Sequence, residues 1–478
     1  MSASTSDGEQ LLKRTTSRCP VCHASCPAEV WRTAGAQAKV FLRRTCREHG
    51  EAEVCISSDA RFYWLAQGDP RNAENGNGCG NACRASDGAV RGTLGRNARG
   101  KGNAAFEKLS TCLALIEIVN SCNLACPTCY ADSPVGAGKN VDAIPLADLQ
   151  RRIQGVIDRK GGIEILQLSG GEPTLHPQFF ELLAWARENP GIDYLLLNTN
   201  GVRIANDREF ADELSRSFDY GGLQLYLQFD GVQLEGQHFL RGADLRETRW
   251  RAIERCGEMN LPITLAMTVT TGNLSHLWEA IEFGLEYPHV RGVAFQPMFG
   301  SGRVPLHASA RLNTADIILA AVSQSGERLR FEDFTPLPCG DPNCATIGYL
   351  LKANGRTYSI SDFIDFAQVQ GFLRDKVRYK LEDLMKCGCD SEPLGELLRE
   401  FELNETNTFR LFIKPFMDAW TWDEDRIDRC CTHVIRPDGK LDSFCRYYSG
   451  FADARVAPDD STAAVCSCNG EAHQGAAV

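Results

Sequence analysis

Residues 120–130 read Asn-Ser-Cys-Asn-Leu-Ala-Cys-Pro-Thr-Cys-Tyr, so Cys122, Cys126 and Cys129 form a CxxxCxxC array. An iron–sulfur cube normally takes four cysteine ligands. Three thiolates at this spacing can wrap one cube and leave its fourth iron open to a small molecule. The array follows an apolar, β-branched run, Leu113-Ala-Leu-Ile-Glu-Ile-Val119, that predicts a buried strand. A second such run, Ile163-Glu-Ile-Leu-Gln-Leu168, leads into Ser169-Gly-Gly-Glu-Pro173. Taken alone, CxxxCxxC reads equally as half a zinc site. The Gly-Gly-Glu element after the next strand is what that reading leaves unexplained.

The 478 residues, 43% hydrophobic and 24% charged, are enough for one large core and more than one domain. No uncharged apolar stretch is long enough to cross a bilayer, and Met1–Gln10 lacks the apolar core of an export signal. Twenty-one cysteines in such a chain point to metal ligation in a reducing cytoplasm rather than to a disulfide scaffold. A formal charge of −11 disfavours nonspecific binding to nucleic acid.

Residues 1–66 are expected to form a small metal ribbon. Cys19-Pro-Val-Cys22 and Cys46 are its firmest ligands, and the fourth is Cys55, Cys26 or His49, in that order of preference. Thiolate-rich tetrahedral sites suit zinc and a rubredoxin-like iron alike, so the metal stays open. Residues 67–110 are rich in Gly, Asn and Arg and read as a linker. Cys79 and Cys83 within it, with Cys112 just before the first strand, are candidate ligands of a second cluster.

Over 111–330, strand runs alternate with helical patterns. Further strands are expected at 194–198, 223–229, 263–269 and 292–296. Leu146, Leu149, Ile153 and Ile157, and likewise Leu274, Leu277, Trp278, Ile281 and Leu285, recur at helical spacing. Six strands alternating with helices predict an α/β fold with a parallel sheet, an open (β/α)6 barrel rather than a complete eight-unit one. Residues 331–455 are expected to be a cysteine-rich auxiliary domain. Cys431 is preferred over its neighbour Cys430, because Arg436-Pro-Asp-Gly439 is a turn that brings Cys445 back toward it. Cys339, Cys344, Cys431 and Cys445 then make a four-ligand auxiliary cluster site. Cys256 reads as core, and 456–478 as a disordered tail.

The paired motifs at successive strand ends resemble the radical S-adenosylmethionine (SAM) superfamily. The order of elements from the CPxC ribbon through CNLACPTCY to Cys431-Thr-His433…Phe444-Cys445 further resembles the tetraether lipid synthase group and its pterin-dependent methyltransferase-like relatives. The resemblance implies that Cys122, Cys126 and Cys129 hold a [4Fe-4S] cluster whose open iron binds SAM. One electron then cleaves SAM to a 5′-deoxyadenosyl radical that takes hydrogen from an unactivated carbon. Gly170 and Gly171 would admit the methionine moiety, and Glu172 would accept from its ammonium. Asn198, Asn200, Gln228 and Asp230, at later strand ends, are candidates for the ribose or the substrate, with ordinary turn chemistry as the alternative.

Three functions compete. The first is carbon–carbon bond formation or alkylation on a lipid-like substrate, with peripheral membrane contact. The second is a pterin methyltransferase-like or peptide-modifying enzyme with auxiliary [4Fe-4S] clusters. The third is a non-enzymatic electron-transfer protein. Either enzyme would need a reductant such as a flavodoxin or ferredoxin.

Overall fold

The computed structural model describes residues 8–65, 111–136, 138–218, 222–304, 311–337, 340–353, 355–363 and 407–450. Cys79, Cys83, Cys339 and the tail from 456 lie outside these residues. The first described unit is a four-stranded antiparallel sheet of β1 (Gln10–Arg18), β2 (Ser25–Arg32), β3 (Val40–Cys46) and β4 (Gly50–Ser57), in sequence order. Its small core is Ala28, Val30, Val40 and Leu42, which face one side of the alternating strands.

All six expected barrel strands form: β5 (Leu113–Val119), β6 (Ile163–Gly170), β7 (Ile192–Thr199), β8 (Leu223–Gln228), β9 (Ile263–Val269) and β10 (Val290–Pro297). Each is parallel to the next. Between them, helix α1 (Leu146–Lys160) buries Leu149, Ile153, Val156 and Ile157 against the sheet. It stops at Gly161, whose φ of 86° lets its N–H return to the Ile157 carbonyl at 2.7 Å. Five more helices needed here are α2 (Phe179–Glu188), α3 (Val202–Asn206), α4 (Arg208–Phe218), α5 (Gln237–Arg241) and α6 (Arg246–Glu258). The predicted helix after β9 is α7 (Leu277–Glu286), preceded by a short 3₁₀ turn at Leu274–His276.

The open six-unit barrel forms as expected, and its sheet extends further. After α8 (Thr314–Gln324) come β11 (Phe334–Pro336), β12 (Thr346–Ala353), β13 (Arg356–Ser359) and β14 (Thr408–Ile413). The chain then runs through α9 (Glu424–Asp428), β15 (Thr432–Ile435), β16 (Leu441–Ser443) and α10 (Phe444–Ser449). β14 pairs parallel with β10, and β15 pairs parallel with β5. The sheet therefore holds eight parallel strands in the order β14-β10-β9-β8-β7-β6-β5-β15, with β12 and β11 beyond one edge and β16 beyond the other. The boundary expected at 330 falls inside this sheet. Alternation of helices could not reveal this, because β14 and β15 pair with strands far away in sequence. As expected, β15 and β16 form an antiparallel hairpin across Arg436–Gly439.

Segment 414–431 joins one outer strand to the other, and the ribbon docks onto it. Arg44 donates to the Ala419 carbonyl at 2.7 Å, Thr15 to Asp423 at 2.7 Å, and Lys13 pairs with Asp423 at 2.6 Å. Among the described residues, no helix is long and apolar enough to cross a membrane.

Candidate active site and metal centres

The cysteine array leaves the end of β5 as a loop. Cys122 is bridged to Val135, and its N–H donates to the Pro134 carbonyl at 2.9 Å. The Leu124 N–H donates to the Cys122 sulfur at 3.4 Å, and Asn200 Nδ2 lies 3.8 Å from it. Cys122 and Cys126 are buried and Cys129 is half-buried. Burial, with Glu172 and the other two thiols nearby, pushes the Cys122 thiol up to about 12. A thiol so placed as Cys122 stays protonated by itself, and a bound iron would make it a thiolate. Three soft donors on one loop, with N–H groups aimed at a sulfur, fit an iron–sulfur cube.

Gly170 and Gly171 are held to glycine by the chain's own backbone. A Cβ on Gly171 would lie 2.0 Å from the Ser121 carbonyl oxygen, and one on Gly170 would lie 2.1 Å from that of Val119. The β6 end thus sits directly on the backbone leading into the cysteines, and Gly170 also adopts a φ of 123°. The Glu172 N–H donates to the Ser121 carbonyl at 3.0 Å and completes this seam.

Glu172 is 1% exposed. Its Oε1 accepts from the hydroxyls of Thr174 and Thr199, each at 2.7 Å, and its Oε2 accepts from the Asn200 N–H at 2.8 Å. Burial raises its pKa, and these donors work against that rise. Oε2 accepts one hydrogen bond among the described residues, so it has capacity for a second donor such as an ammonium.

The four polar candidates separate. Asn198 donates to Ser169 at 3.2 Å and lines the barrel lumen, as does Gln228. Asn200 donates to Asn123 at 2.7 Å and braces the cysteine loop. Asp230 is fully buried, and its carboxylate is taken up by two arginines. Arg241 grips it at 2.7 Å and Arg249 at 3.1 Å, while the Thr268 N–H and Gln228 donate to its Oδ1. Burial by itself would lift this carboxyl, but the two guanidinium groups hold it at about 2.

Arg241 went unnoticed in sequence, where it is one arginine in a short helical stretch. Burial disfavours its charge, but Asp230 and the neighbouring Cys126 sulfur outweigh that and raise its pKa. Gly242 would meet Pro127 at 3.4 Å if it bore a Cβ, and the Thr128 hydroxyl donates to the Leu240 carbonyl at 3.0 Å. Residues 240–242 therefore clamp the middle of the cysteine loop.

In the ribbon, ligand atoms of Cys19, Cys22, Cys46 and His49 lie within 4.8 Å of one another. His49 Nδ1 is 3.7 Å from the Cys19 sulfur and 3.6 Å from that of Cys46. The fourth member is thus His49, the last-ranked choice. Cys55 sits on β4 beside Asp316 and Lys39 and does not join the group. Cys26 is buried against Cys19 and Cys46 as a close neighbour. A Cys3His set matches a structural zinc site.

At the far end, Cys344, Cys430, Cys431 and Cys445 are electrostatic neighbours. Burial pushes Cys431 and Cys445 up to about 11. Cys430 lies near this group as well, its sulfur 3.0 Å from the Thr432 carbonyl. Cys112 is disulfide-bonded, and its N–H donates to the Cys431 carbonyl at 3.1 Å. Its place is beside the C-terminal thiols.

A cavity of about 250 Å³ fills the barrel lumen. Carboxamides of Gln167, Asn198, Gln224, Gln228 and Gln296 line it, with Tyr194, Tyr226 and a rim of Tyr130, Phe299, Phe416 and Phe444.

Residues 116–284 match the model of the Radical SAM superfamily, and residues 11–58 that of the HMPTM N-terminal zinc ribbon domain. The chain is 27% identical to the 7,8-dihydro-6-hydroxymethylpterin dimethyltransferase of Methanocaldococcus jannaschii, over 91% of this chain and 93% of that one. It is 27% identical to the GTP 3',8-cyclase of Syntrophomonas wolfei, over 44% of this chain and 62% of that one. With the mycofactocin maturase MftC of Mycobacterium tuberculosis the identity is 29%, over 36% and 41%. Among solved structures, Streptococcus suis SuiB bound to S-adenosylmethionine aligns over 40% of each chain at 16% identity, with a TM-score of 0.32.

Proposed function

The chain belongs to the radical SAM superfamily and is related over nearly its whole length to a pterin dimethyltransferase, and from that premise we propose that it functionalises an unactivated carbon of a pterin-like heterocycle. The observation that carries this reading is the lumen. Its volume of about 250 Å³ lies just below the ~300–1,000 Å³ usual for small-molecule sites, which suits one compact ring system. Each carboxamide offers both a donor and an acceptor, as the edges of a pterin demand. A long lipid chain would call for a more uniformly apolar lining than these carboxamides give.

A [4Fe-4S] cluster held by Cys122, Cys126 and Cys129 supplies, when bound, the electron that cleaves SAM. The chain's own residues then do three things. Glu172 orients the methionine ammonium through Oε2. The Gly170–Gly171 seam and Arg241 fix the cysteine loop at the barrel mouth. The aromatic rim keeps water from the reacting carbon. Cys344, Cys430, Cys431 and Cys445 would hold an auxiliary cluster, and a flavodoxin or ferredoxin would supply electrons.

Anaerobically reconstituted, reduced protein should form 5′-deoxyadenosine from SAM together with a mass-shifted dihydropterin, both followed by mass spectrometry. Cys126→Ala should abolish both products. Formation of 5′-deoxyadenosine without change to any pterin would overturn the substrate and leave the chemistry standing.

A further inference from the structure

Helix α9 has only five residues, yet it carries a charged side chain inward. Asp423 caps it: its Oδ1 accepts from the Asp425 N–H at 3.2 Å, and the Arg426 N–H donates to the Asp423 carbonyl at 3.1 Å. Arg426 and Ile427 are then its buried residues. The guanidinium ends among the C-terminal thiols. Its Nη2 lies 3.8 Å from the Cys344 sulfur, within reach of a hydrogen bond to sulfur, and 2.9 Å from the Asn343 carbonyl oxygen. Asp341 is 3.9 Å from Nε, beyond hydrogen-bond length, and is nearer to Arg429 at 3.6 Å. Burial by itself would lower the pKa of Arg426. Cys344 first, then Asp341, Asp423 and Cys445, outweigh burial and raise it.

Other groups act on these thiols in the same sense. The Met417 N–H donates to the Cys445 sulfur at 3.3 Å. The Lys414 ammonium donates to the Thr432 hydroxyl at 3.0 Å and is an electrostatic neighbour of Cys430, Cys431 and Cys445. Gly340 brings backbone against Cys431, since a Cβ there would lie 3.2 Å from that sulfur and 2.6 Å from the Arg429 carbonyl oxygen. A cube held by four thiolates is an anion, and reduction adds one more negative charge. A buried site disfavours that added charge. A guanidinium, an ammonium and an N–H on sulfur favour it. Such cations act more strongly on the reduced form, because it carries more charge. Cys431 and Lys414 also line the lumen, so this edge of the thiol group faces the substrate cavity.

We propose that Arg426, assisted by Lys414, raises the reduction potential of the auxiliary centre, so that it holds one electron at the wall of the lumen. The electron adds to the cube without a proton, and a donor of the flavodoxin or ferredoxin class supplies it. Arg426 is a positioning residue here, acting through the Cys344 sulfur. The proposal rests on the C-terminal thiols holding an iron–sulfur cube, and it adds a redox task that a purely structural cluster does not have.

The test is an anaerobic potentiometric titration followed by electron paramagnetic resonance. It uses the full, reconstituted chain carrying Cys126→Ala, where the remaining cube signal, abolished by a further Cys445→Ala, is that of the auxiliary centre. Arg426→Gln should cut the ratio of reduced to oxidised centre at a fixed potential about tenfold, a downward midpoint shift of about 59 mV for one electron. Arg426→Lys should restore most of that ratio. Lys414→Gln should shift the midpoint the same way, with iron content unchanged. An unmoved midpoint in a fully loaded Arg426→Gln chain overturns the proposal while the auxiliary centre stands. Where Arg426→Gln fails to hold iron, Lys414→Gln decides, and an unmoved midpoint there overturns the proposal. A Cys126→Ala chain that takes up no sulfide removes the auxiliary centre and the proposal together.

Discussion

The ring of Tyr130 lies against that of Phe444, with centroids 5.8 Å apart. One residue directly follows Cys129, and the other directly precedes Cys445. The two thiol groups are therefore coupled through one aromatic contact, and Phe444 extends it by stacking on Phe416 at 4.0 Å. Phe444→Ala should cost about 3–5 kcal/mol and lower iron content at both sites. Phe444→Leu should cost much less. Thermal melting and iron analysis of the two variants would check this, and unchanged iron in the alanine variant would contradict it.

Asp230 makes the barrel acid-sensitive. Its pKa is held at about 2, below the unfolded value, so its stabilising effect is complete above pH ~4 and lost as pH falls through about 2. The shift corresponds to about 2 kcal/mol. Denaturant titrations of the wild type and Asp230→Asn should show a gap that is full at pH 5 and narrower by that amount near pH 2. A gap independent of pH would rule the account out.

The ribbon should lose its metal selectively. His49→Ala should lower zinc stoichiometry by about one per chain and loosen the β1–β4 sheet, because structural zinc contributes folding energy directly. Cys55→Ser should retain the ion. Metal analysis with circular dichroism before and after chelation separates the two, and loss of metal in Cys55→Ser would reinstate the sequence preference.

Gly171→Ala should be as damaging as removal of a ligand. Its Cβ would meet the Ser121 carbonyl oxygen at 2.0 Å and the Asn120 carbonyl oxygen at 2.8 Å, both of them backbone. The overpacking cost is about 1–3 kcal/mol or more, and it should appear as reduced cluster absorbance near 400 nm and a lower melting temperature. Normal cluster loading would mean that the seam tolerates the methyl group.

The sequence made the strand-end motifs and the six central strands readable, because a buried parallel strand is a continuous apolar run. It hid what depends on pairing across distance. Nothing local tells that Thr408–Ile413 will lie beside β10. Arg249 looks like one more charge on a polar helix, yet it is 1% exposed because Asp230 waits beneath it. His49 was ranked last for want of geometry, since only the turn at Cys46–His49 brings the imidazole between two thiols. The crowding of Gly170 and Gly171 comes from the chain's own backbone, which the motif by itself does not show.

The pairing of Thr432 with Leu113 sets an order of events during synthesis. The strand bordering β5 leaves the ribosome long after the cysteine loop has emerged, so the nascent barrel waits with that flank uncovered. Iron delivery to Cys122, Cys126 and Cys129 thus has a window before Phe444 and Tyr448, which follow that strand, close over the Tyr130 ring beside Cys129. A carrier that acts on the growing chain would reach these thiols more easily than one that meets the finished protein.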